Sequence, residues 1–495
     1  MNYRSTRSTD GVSVSAAQAI KTGLAPDGGL FMPEQIPSLS EKEVLSLCKM
    51  SYPERAATVL SKYLTDYTYD ELYEDASAAY SADRFLGGAA PIRPVDENVT
   101  ALELWHGPTA AFKDMALQIM PRLLSRALVK TGEKRTAYIL VATSGDTGKA
   151  ALEGYKDIPQ IKIKVFYPVD GVSKVQKLQM VSQTGNNVDV CAIRGNFDDA
   201  QTGVKNIFAD RTMAERLAER NTFLSSANSI NWGRLAPQIV YYVSAYCDMI
   251  NAGRISYGDK LDICVPTGNF GNIFAALLAK RMGLPLGKLI CASNKNNVLT
   301  DFLRTGVYNR NRAFYTTISP SMDILISSNL ERLLYVTLGA EKTAAYMRSL
   351  NTDGKYALSN DELALIQKDF VGYCADEEKT AQAIRLAYEK HGYLCDSHTA
   401  VGYSCAQQYL ADQKGEITPI ILASTASPYK FAADVYLALT GKHSSDGLTA
   451  LEDLTALTKV EIPMPLADMK NRTVRFNAVV DPDEMPDTVL AFAAD

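Results

Sequence analysis

Short apolar runs alternate with longer helical patterns over most of the chain, starting at about residue 98. The predicted strands are the apolar runs at 101–105, 137–142, 163–167, 261–265, 288–292 and 417–423. Helical patterns follow several of these runs. Because this alternation is typical of right-handed strand–helix–strand crossovers, it predicts an α/β fold whose largely parallel sheet is covered by helices.

The same pattern separates three parts of the chain. Residues 1–95 form a mixed opening segment with turn signals and helical patterns. Residues 96–440 carry the alternating strands and helices, and the part at 340–415 is mostly helical. Residues 441–495 are polar, with proline and acidic residues spaced through them. This last pattern predicts an irregular wrap at the periphery of the protein.

Composition excludes several classes of partner. The 495 residues are 46 % hydrophobic and 22 % charged, which is ordinary for a globular protein with a large core. The net charge of −5 creates no overall field that attracts nucleic acid or anionic lipid, so we expect neither partner. No apolar run approaches the ~20 residues that cross a bilayer. Any anionic ligand must therefore be bound by a local site.

The eight cysteines are scattered, with no C-x-x-C motif and no Cys/His spacing of a zinc site, so we expect no metal centre. Cys264 and Cys291 lie inside apolar runs and are predicted to be buried. This cysteine usage suits a reducing compartment. The N-terminus lacks the apolar core of a signal peptide, and the two observations together predict a cytoplasmic protein.

Lys113 lies where a predicted strand turns into a helix, in the stretch ELWHGPTAAFKDMALQ. The positive end of a helix dipole and an apolar neighbour, Phe112, both disfavour the charged form of a lysine. A neutral lysine can attack a carbonyl carbon, which is the requirement for a Schiff base with an aldehyde cofactor. A solvated lysine at a helix start is the alternative reading of the same residues.

Polar loops follow four of the predicted strands, and ligands in open α/β sheets bind at this end of the strands. Besides the Lys113 loop, these are the segments 143–148, 267–272 and 424–428. In 267–272, two glycines let the backbone approach a ligand, and the helix predicted directly after it adds its dipole, which suits a phosphate. An ordinary turn with Gly and Asn at positive φ explains the same residues equally well.

A fifth polar stretch, NSINWGR at 228–234, offers amide, hydroxyl and guanidinium groups that suit a second phosphate. A capped helix start with a surface arginine is the alternative. A nucleotide-binding P-loop at GDTGKA is rejected, because that motif requires glycine at Thr143 and a hydroxyl residue at Ala150.

Several motifs in a fixed order resemble the threonine synthase family. They are YRSTRS and AIKTGLAPDGGLFMPE near the N-terminus, then FKD, ATSGDTG, SANSIN, PTGNFGN and STAxPxKF. The resemblance covers about residues 3–431, and it is closest to the longer bacterial and fungal form. One position departs from the family pattern, because Ser427 stands where the family usually has histidine.

The resemblance implies the fold of pyridoxal-phosphate enzymes of type II, which is that of the tryptophan synthase β subunit. Such a fold has two open parallel-sheet domains and, here, an N-terminal cap segment. Residues 96–440 would then be the catalytic core, with about 128–245 as a smaller mobile subdomain, and 441–495 would be the C-terminal wrap. Oligomeric state is left as monomer or homodimer.

The resemblance also implies a role for each polar loop. Lys113 would carry the cofactor pyridoxal 5'-phosphate and act as the catalytic base. The other implied residues are Gly268, Asn269, Phe270, Gly271 and Asn272 for the cofactor phosphate, Thr425 for the pyridine nitrogen, Thr143, Ser144, Gly145, Asp146 and Thr147 for the substrate carboxylate, and Asn228, Ser229 and Arg234 for the substrate phosphate.

The implied reaction converts O-phospho-L-homoserine and water to L-threonine and phosphate. Three alternatives stand beside it: a related pyridoxal-phosphate lyase such as a serine/threonine dehydratase, a paralogue that binds the cofactor without catalysis, and the disfavoured P-loop ATPase. A dehydratase needs one anion pocket and the synthase needs two. The two candidate pockets, 268–272 and 228–234, therefore favour the synthase.

Overall fold

The computed structural model describes residues 1–143, 145–170, 172–415 and 417–494. Its strands are β1 Tyr3–Ser5, β2 Phe31–Pro33, β3 Ile92–Pro94, β4 Val99–Glu103, β5 Thr136–Ala142, β6 Ile161–Pro168, β7 Val188–Ile193, β8 Thr222–Ser225, β9 Leu261–Pro266, β10 Leu286–Ser293, β11 Val307–Asn309, β12 Lys355–Ala357, β13 Phe370–Cys374, β14 Ile420–Ser424 and β15 Val479–Val480. Ser144, one of the predicted substrate-binding residues, lies outside the described residues.

The α-helices cover both sheets and form the terminal parts of the chain. They are α1 Ala16–Thr22, α2 Glu41–Leu47, α3 Tyr52–Tyr63, α4 Tyr69–Ala79, α5 Asp114–Leu117, α6 Met120–Lys130, α7 Asp146–Tyr155, α8 Lys174–Val181, α9 Phe197–Ala209, α10 Arg211–Ala218, α11 Trp232–Asn251, α12 Gly271–Arg281, α13 Val298–Thr305, α14 Leu330–Leu338, α15 Ala340–Asp353, α16 Asn360–Gln367, α17 Glu377–Arg385, α18 Ser397–Asp412, α19 Ala432–Thr440, α20 Thr449–Thr458, α21 Met464–Ala467 and α22 Met485–Ala494. No helix in the described ranges is long and apolar enough to cross a membrane.

The larger sheet has six strands in the order β13-β10-β9-β14-β4-β3. All neighbours pair in parallel except β3, which is antiparallel to β4 at the edge. The central strands β9, β14 and β4 are buried along their whole length. A strand covered on both faces needs apolar residues at successive positions, which is why these runs were predictable from sequence.

The smaller sheet has five parallel strands in the order β15-β7-β6-β5-β8. The two parallel sheets confirm the predicted α/β fold. Strands β7 and β8 were not predicted. β8 has only four residues, and two of them are partly exposed. Such a short edge strand lacks a long apolar run, so its place in the sheet is decided by pairing with β5.

The N-terminal segment packs against the start of α11. The ring of Trp232, the first residue of that helix, lies between Tyr3 and Tyr63, with ring centroids 5.4 and 5.6 Å apart. Asn231 caps the helix through its Oδ1, while its Nδ2 donates to the carbonyl of Ile20 at 2.9 Å. The segment that precedes α11 is therefore held against residues of the first 95.

The expectation of an irregular tail is wrong. The last part of the chain forms helices α20 to α22, and β15 pairs in parallel with β7. Met485, Val489 and Leu490 of α22 are buried in one cluster with Tyr138 and Phe166 of the smaller sheet. The apolar residues of α22 follow a short proline-containing, acidic stretch, which hid the helix from a reading of composition.

Candidate functional site

The polar loops meet at the carboxyl ends of the parallel strands, as predicted. The Lys113 loop after β4 and the loop after β14 are joined by backbone hydrogen bonds. Phe112 N donates to the carbonyl of Thr425 at 2.8 Å, and Ser427 N donates to the carbonyl of Ala110 at 3.1 Å. Lys113 is therefore fixed to Thr425 by the backbone of its immediate neighbour.

Lys113 is buried, with 9 % of its surface exposed. Its Nζ lies 3.3 Å from Ser321 Oγ, 3.8 Å from Asp146 Oδ2 and 5.1 Å from the centre of the Phe112 ring. Burial lowers the pKa of Lys113 to about 8, against the opposing effect of Asp146. The amine is thus neutral in about a tenth of the molecules at pH 7, far more than for an ordinary lysine.

The predicted lowering of the Lys113 pKa is confirmed in direction, and desolvation, one of its two predicted causes, makes the largest contribution. Helix α5 after Lys113 has only four residues, so its dipole is small. After burial and Asp146, the next contributions come from the positive charges of Arg234 and Lys430, which lower the pKa. These charges are brought in by distant parts of the chain, and local sequence could not show them.

Asp146 bridges two buried lysines. Its Oδ1 lies 2.7 Å from Lys430 Nζ and accepts a hydrogen bond from Gln176 Nε2 at 2.9 Å, while Oδ2 faces Lys113. Burial by itself raises the pKa of Asp146, but Lys430 and Lys113 lower it well below its usual range. The carboxylate is therefore charged and acts as the counter-ion of both lysines.

Lys430 was part of a quoted motif but received no role from the sequence. It is 2 % exposed, and its Nζ also donates to the carbonyl of Thr109 at 3.1 Å and to Gln179 Oε1 at 3.0 Å. A lysine among small and apolar residues, in STASPYKF, was the one available signal. Its donors tie the Lys113 loop, the β14 loop and helix α8 together.

Some hydrogen-bonding groups of the 143–148 loop are used within the protein, and others have no partner among the described residues. Thr143 Oγ1 accepts from the N–H groups of Gly145 and Gly148, each at 3.0 Å, so this hydroxyl holds the turn. Gly145 has φ 146°, a conformation that favours glycine. Thr147 is partly exposed at the first turn of α7. Among the described residues of this turn, the groups that remain for a ligand are the Thr147 hydroxyl and the N–H groups of Asp146 and Thr147.

In the loop at Gly268–Asn272, the first two carbonyl groups accept hydrogen bonds from Ser327 and Asn329. The carbonyl of Gly268 accepts from Ser327 Oγ at 2.7 Å, and that of Asn269 accepts from Asn329 N at 3.0 Å and Nδ2 at 2.9 Å. Phe270 has φ 62°, and helix α12 begins directly after it. A helix start whose preceding carbonyls are held by other groups suits an anion, and the residue at positive φ is Phe270, not the Gly or Asn expected for an ordinary turn.

Asn272 ends this loop with a donor that has no protein partner. Its Oδ1 accepts from the hydroxyl of Tyr241 at 2.9 Å and from that of Tyr242. Its Nδ2 is buried and makes no hydrogen bond within the described part of the chain. A buried donor without a partner is costly, so this atom is suited to a ligand.

The stretch before α11 places Arg234 inside the protein, so a surface arginine is the wrong reading. Arg234 is 6 % exposed, and its Nη1 donates to the carbonyl of Ala227 at 2.9 Å. Burial lowers its pKa to about 10. Ser229 Oγ lies 3.5 Å from Ser328 Oγ, and Asn228 N donates to Ser226 Oγ at 3.2 Å.

Thr425 and Ser427 lie beside Lys113 at the end of β14. Thr425 is 6 % exposed, and its N–H donates to Thr399 Oγ1 at 3.3 Å. Ser427 is fully buried, and its Oγ accepts from Tyr429 N at 3.3 Å. The serine hydroxyl thus caps the short helical turn at Pro428–Phe431.

Sequence reasoning also missed the segment around Ser321. Ser321 Oγ accepts from Lys113 Nζ, and Ser321 N donates to His398 Nε2 at 3.1 Å. The other ring nitrogen of His398 lies 2.8 Å from Asp396 Oδ2, which leaves Nε2 as the acceptor. Two polar runs, SPS at 319–321 and SSN at 327–329, were the only signal of this segment.

Gly268→Ala tests how closely this loop packs against Ser321, the residue that contacts Lys113. A Cβ at Gly268 would lie 2.6 Å from the carbonyl oxygen of Ser321, so the loop must move. We expect the affinity for pyridoxal phosphate, titrated by absorbance, to fall about tenfold or more. Gly447→Ala is the matched control, because Gly447 lies outside this loop and its Cβ would meet nothing closer than Lys174 Cβ at 3.8 Å. Equal losses in both variants would contradict the prediction.

Family models match nearly the whole chain. Residues 2–80 match "Threonine synthase N terminus", residues 91–423 match "Pyridoxal-phosphate dependent enzyme", and residues 399–488 match "Threonine synthase, C-terminal". The second model alone covers more than half of the chain and contains the Lys113 loop and the segments 143–148, 228–234 and 267–272, while the loop at 424–428 lies within the third match.

Curated relatives carry two names. Threonine synthase-like 1 of Homo sapiens is 42 % identical over 445 residues, which are 87 % of this chain but 58 % of that protein, so the chain spans under two thirds of its length. Threonine synthase of Pseudomonas aeruginosa is 36 % identical over 448 residues, 89 % of this chain and 91 % of that protein. Threonine synthase of Saccharomyces cerevisiae is 36 % identical over 467 residues, 89 % of each protein.

Solved structures agree over the full length. The pyridoxal-phosphate-bound threonine synthase from Brucella melitensis superposes with a TM-score of 0.86 at 34 % identity and covers all of both chains. The yeast threonine synthase superposes with a TM-score of 0.89 at 32 % identity, covering 99 % of this chain and 98 % of that one. The fold is therefore that of type II pyridoxal-phosphate enzymes, as the motifs implied.

The residues of this chain fit that cofactor. A buried lysine with a lowered pKa, a loop whose fixed carbonyls leave its N–H groups free, and the unpartnered Nδ2 of Asn272 match an aldehyde that carries a phosphate. The site, the two-sheet fold and the matching family models all indicate the same family. The chain therefore belongs to the threonine synthase family of pyridoxal-phosphate-dependent enzymes.

Proposed function

We propose that this chain is a threonine synthase, which converts O-phospho-L-homoserine and water to L-threonine and phosphate, the last step of threonine biosynthesis. The single observation that carries the proposal is Arg234. This arginine is buried close enough to Lys113 to lower the pKa of the lysine, and in the described chain it pairs with no carboxylate. A buried cation of this kind suits an anionic substrate.

Two anion sites beside one lysine distinguish the synthase from a dehydratase of the same fold. In the proposal, Gly268, Asn269, Phe270, Gly271 and Asn272 bind the cofactor phosphate, and Asn228, Ser229 and Arg234 bind the substrate phosphate. The link from Ser229 through Ser328 to Asn269 supports this arrangement, because hydroxyl and amide groups then line the space between the two sites. A hydroxyl-bearing substrate without phosphate has no use for the second site.

Lys113 is proposed to move the protons. When bound, pyridoxal phosphate supplies an electron sink for the bond to the substrate Cα. The Lys113 amine, once released, takes the proton from Cα and then one from Cβ as phosphate leaves Cγ; Cγ then gains a proton, water adds its hydroxyl at Cβ, and Cα regains a proton. A pKa of about 8 suits a group that must both accept and donate near neutral pH.

Asp146 and Thr425 are proposed to set the electrostatic environment of Lys113 and of the cofactor ring. Asp146 stays charged between Lys430 and Lys113, so it stabilises the protonated lysine after proton abstraction. Thr425 offers a neutral hydroxyl for the pyridine nitrogen, which moderates the electron sink. The substrate carboxylate is assigned to the turn at 143–147, with its N–H groups and the Thr147 hydroxyl.

The direct test is an assay of the purified protein with O-phospho-L-homoserine. We expect phosphate and L-threonine to be released in equal amounts, and no ammonia to be released from L-serine or L-threonine. Ammonia release without phosphate release would assign a dehydratase. Cofactor binding with neither activity would assign a binding paralogue. Either result overturns the proposed function.

The lowered pKa of Lys113 predicts how the apoprotein takes up its cofactor. Only the neutral amine attacks an aldehyde, so the rate of uptake should rise with pH up to about 8 and then level off. Asp146 raises the pKa of Lys113, so Asp146→Asn should move this plateau to lower pH. Stopped-flow absorbance with pyridoxal phosphate measures both profiles.

Glu133→Gln is the charge-matched control for this experiment. Glu133 pairs with Arg135 at 2.8 Å and is absent from the groups that shift the Lys113 pKa. Its profile should coincide with that of the unmodified protein. A plateau that moves to higher pH in Asp146→Asn contradicts the assigned electrostatics.

A further inference from the structure

Arg332 joins three separate parts of the chain beneath the two anion sites. Its side chain is fully buried. Nη2 donates to the carbonyl of Phe31 at 3.1 Å and to that of Ile230 at 2.6 Å, and Nη1 donates to Asn329 Oδ1. Phe31 belongs to the N-terminal segment and Ile230 to the stretch that contains Arg234. Asn329 leads to the Gly268–Asn272 loop.

The guanidinium of Arg332 forms no ion pair with a carboxylate in the described ranges of the chain. Its neighbour Glu331 is engaged by Arg7 at 2.7 Å and by Thr6 at 2.5 Å. Burial lowers the pKa of Arg332 to about 9. Burial of a cation among neutral acceptors is costly, and such a cost is tolerated where the charge serves a bound anion.

Asn329 connects Arg332 to the Gly268–Asn272 loop through hydrogen bonds. Its N and Nδ2 both donate to the carbonyl of Asn269, and Ser327 Oγ donates to the carbonyl of Gly268. The peptide bonds are trans, so each N–H points opposite to the carbonyl of the preceding residue. Fixing these two carbonyls therefore aims the N–H groups of Asn269 and Phe270 to the opposite side, where a phosphate can accept them.

We propose that Arg332 is a positioning residue for the cofactor phosphate: it orients Asn329, and through it the N–H groups of the Gly268–Asn272 loop, while it holds Ile230 and Phe31 in register with them. The inference rests on the proposed placement of the cofactor phosphate at this loop. It gives the N-terminal segment a direct part in the site, because the Phe31 carbonyl accepts two of the Arg332 hydrogen bonds, from Nη2 at 3.1 Å and Nε at 3.3 Å.

The test compares two aldehydes that differ only in the phosphate. The full-length apoprotein is titrated with pyridoxal 5'-phosphate and with pyridoxal. The Kd for pyridoxal divided by the Kd for pyridoxal 5'-phosphate measures the contribution of the phosphate site. In Arg332→Gln we expect this ratio to fall about tenfold or more, because the loop N–H groups lose their orientation. Arg332→Lys keeps the charge without the planar guanidinium, and its ratio should lie between that of the unmodified protein and that of Arg332→Gln.

Arg55→Gln is the matched control for loss of a buried arginine. Arg55 also joins the N-terminal segment to the core, through Asp248 Oδ1 and Ser244 Oγ at 2.7 Å each, and it has no link to the loop. Its thermal stability should fall, while the ratio of dissociation constants stays as in the unmodified protein. If Arg332→Gln does not fold, Arg332→Lys carries the same comparison with Arg55→Gln.

An Arg332 variant that loses affinity for both aldehydes equally, or for neither, overturns the inference and leaves Arg332 a purely structural residue. This outcome is distinct from failure of the proposed function. A protein that releases no phosphate from O-phospho-L-homoserine contradicts the function, yet the ratio remains measurable because no substrate is involved.

Discussion

Lys113→Ala is expected to lower kcat for O-phospho-L-homoserine by at least about 10⁴-fold. In the proposed mechanism, the substitution removes both the amine that holds the cofactor and the base that moves protons along the substrate. The pKa of about 8 and the 3.8 Å distance to Asp146 are the observations behind this expectation. Steady-state phosphate release measures the loss, with the variant saturated with pyridoxal phosphate.

The chemical form of the bound cofactor provides the second measurement. Borohydride should fix pyridoxal phosphate covalently to the unmodified protein, and peptide mapping should place the label on Lys113. Lys430→Ala separates this residue from the other buried lysine near Asp146, and Lys113 should still be labelled in that variant. A label on Lys430, or none on Lys113, contradicts the assignment of the catalytic lysine.

Arg234→Gln is expected to lower kcat/KM for O-phospho-L-homoserine by about 10–100-fold, mainly through KM, because the variant cannot form the proposed charge-assisted hydrogen bond to the substrate phosphate. The glutamine retains an amide donor and most of the volume, so packing around α11 changes little. Removal of a buried cation also removes a cost of folding, so a large drop in thermal stability is not expected.

L-Threonine serves as the internal control for Arg234→Gln. This ligand carries the carboxylate and amine of the product but no phosphate, so its dissociation constant should be unchanged in the variant. The spectrum of the bound cofactor reports that binding. A variant that loses L-threonine and O-phospho-L-homoserine affinity in equal measure would show that Arg234 only maintains the fold.

Local sequence was sufficient for the elements that depend on neighbours in the chain. The central strands β9, β14 and β4 are mostly apolar, apart from buried polar residues such as Asp262 and Thr100, because both their faces are covered by helices. The loops after them contain Gly, Ser, Thr and Asn because tight turns at strand ends require these residues. Helix α22 and strand β8 were missed, since their burial depends on the smaller sheet.

The electrostatics of the site belong to the tertiary structure. Lys113 and Ser321 are 208 positions apart, and Lys430 and Gln179 are 251 positions apart, yet each pair is in hydrogen-bonding contact. A lysine at a four-residue helix owes its lowered pKa chiefly to burial, and burial is a property of the whole fold. The sequence argument thus predicted the direction of the pKa shift and desolvation as one cause, but it missed the charges of Arg234 and Lys430.

The sequence by itself determined the α/β class, the order of the polar loops and the family resemblance, because these follow from periodicity and from short contiguous motifs. Only the tertiary structure decided that Arg234 is buried without a carboxylate, that Asp146 lies between Lys113 and Lys430, and that Arg332 contacts Phe31 across 301 positions. The physical reason is that charge pairing and desolvation depend on distances in space, which no local pattern of residues records.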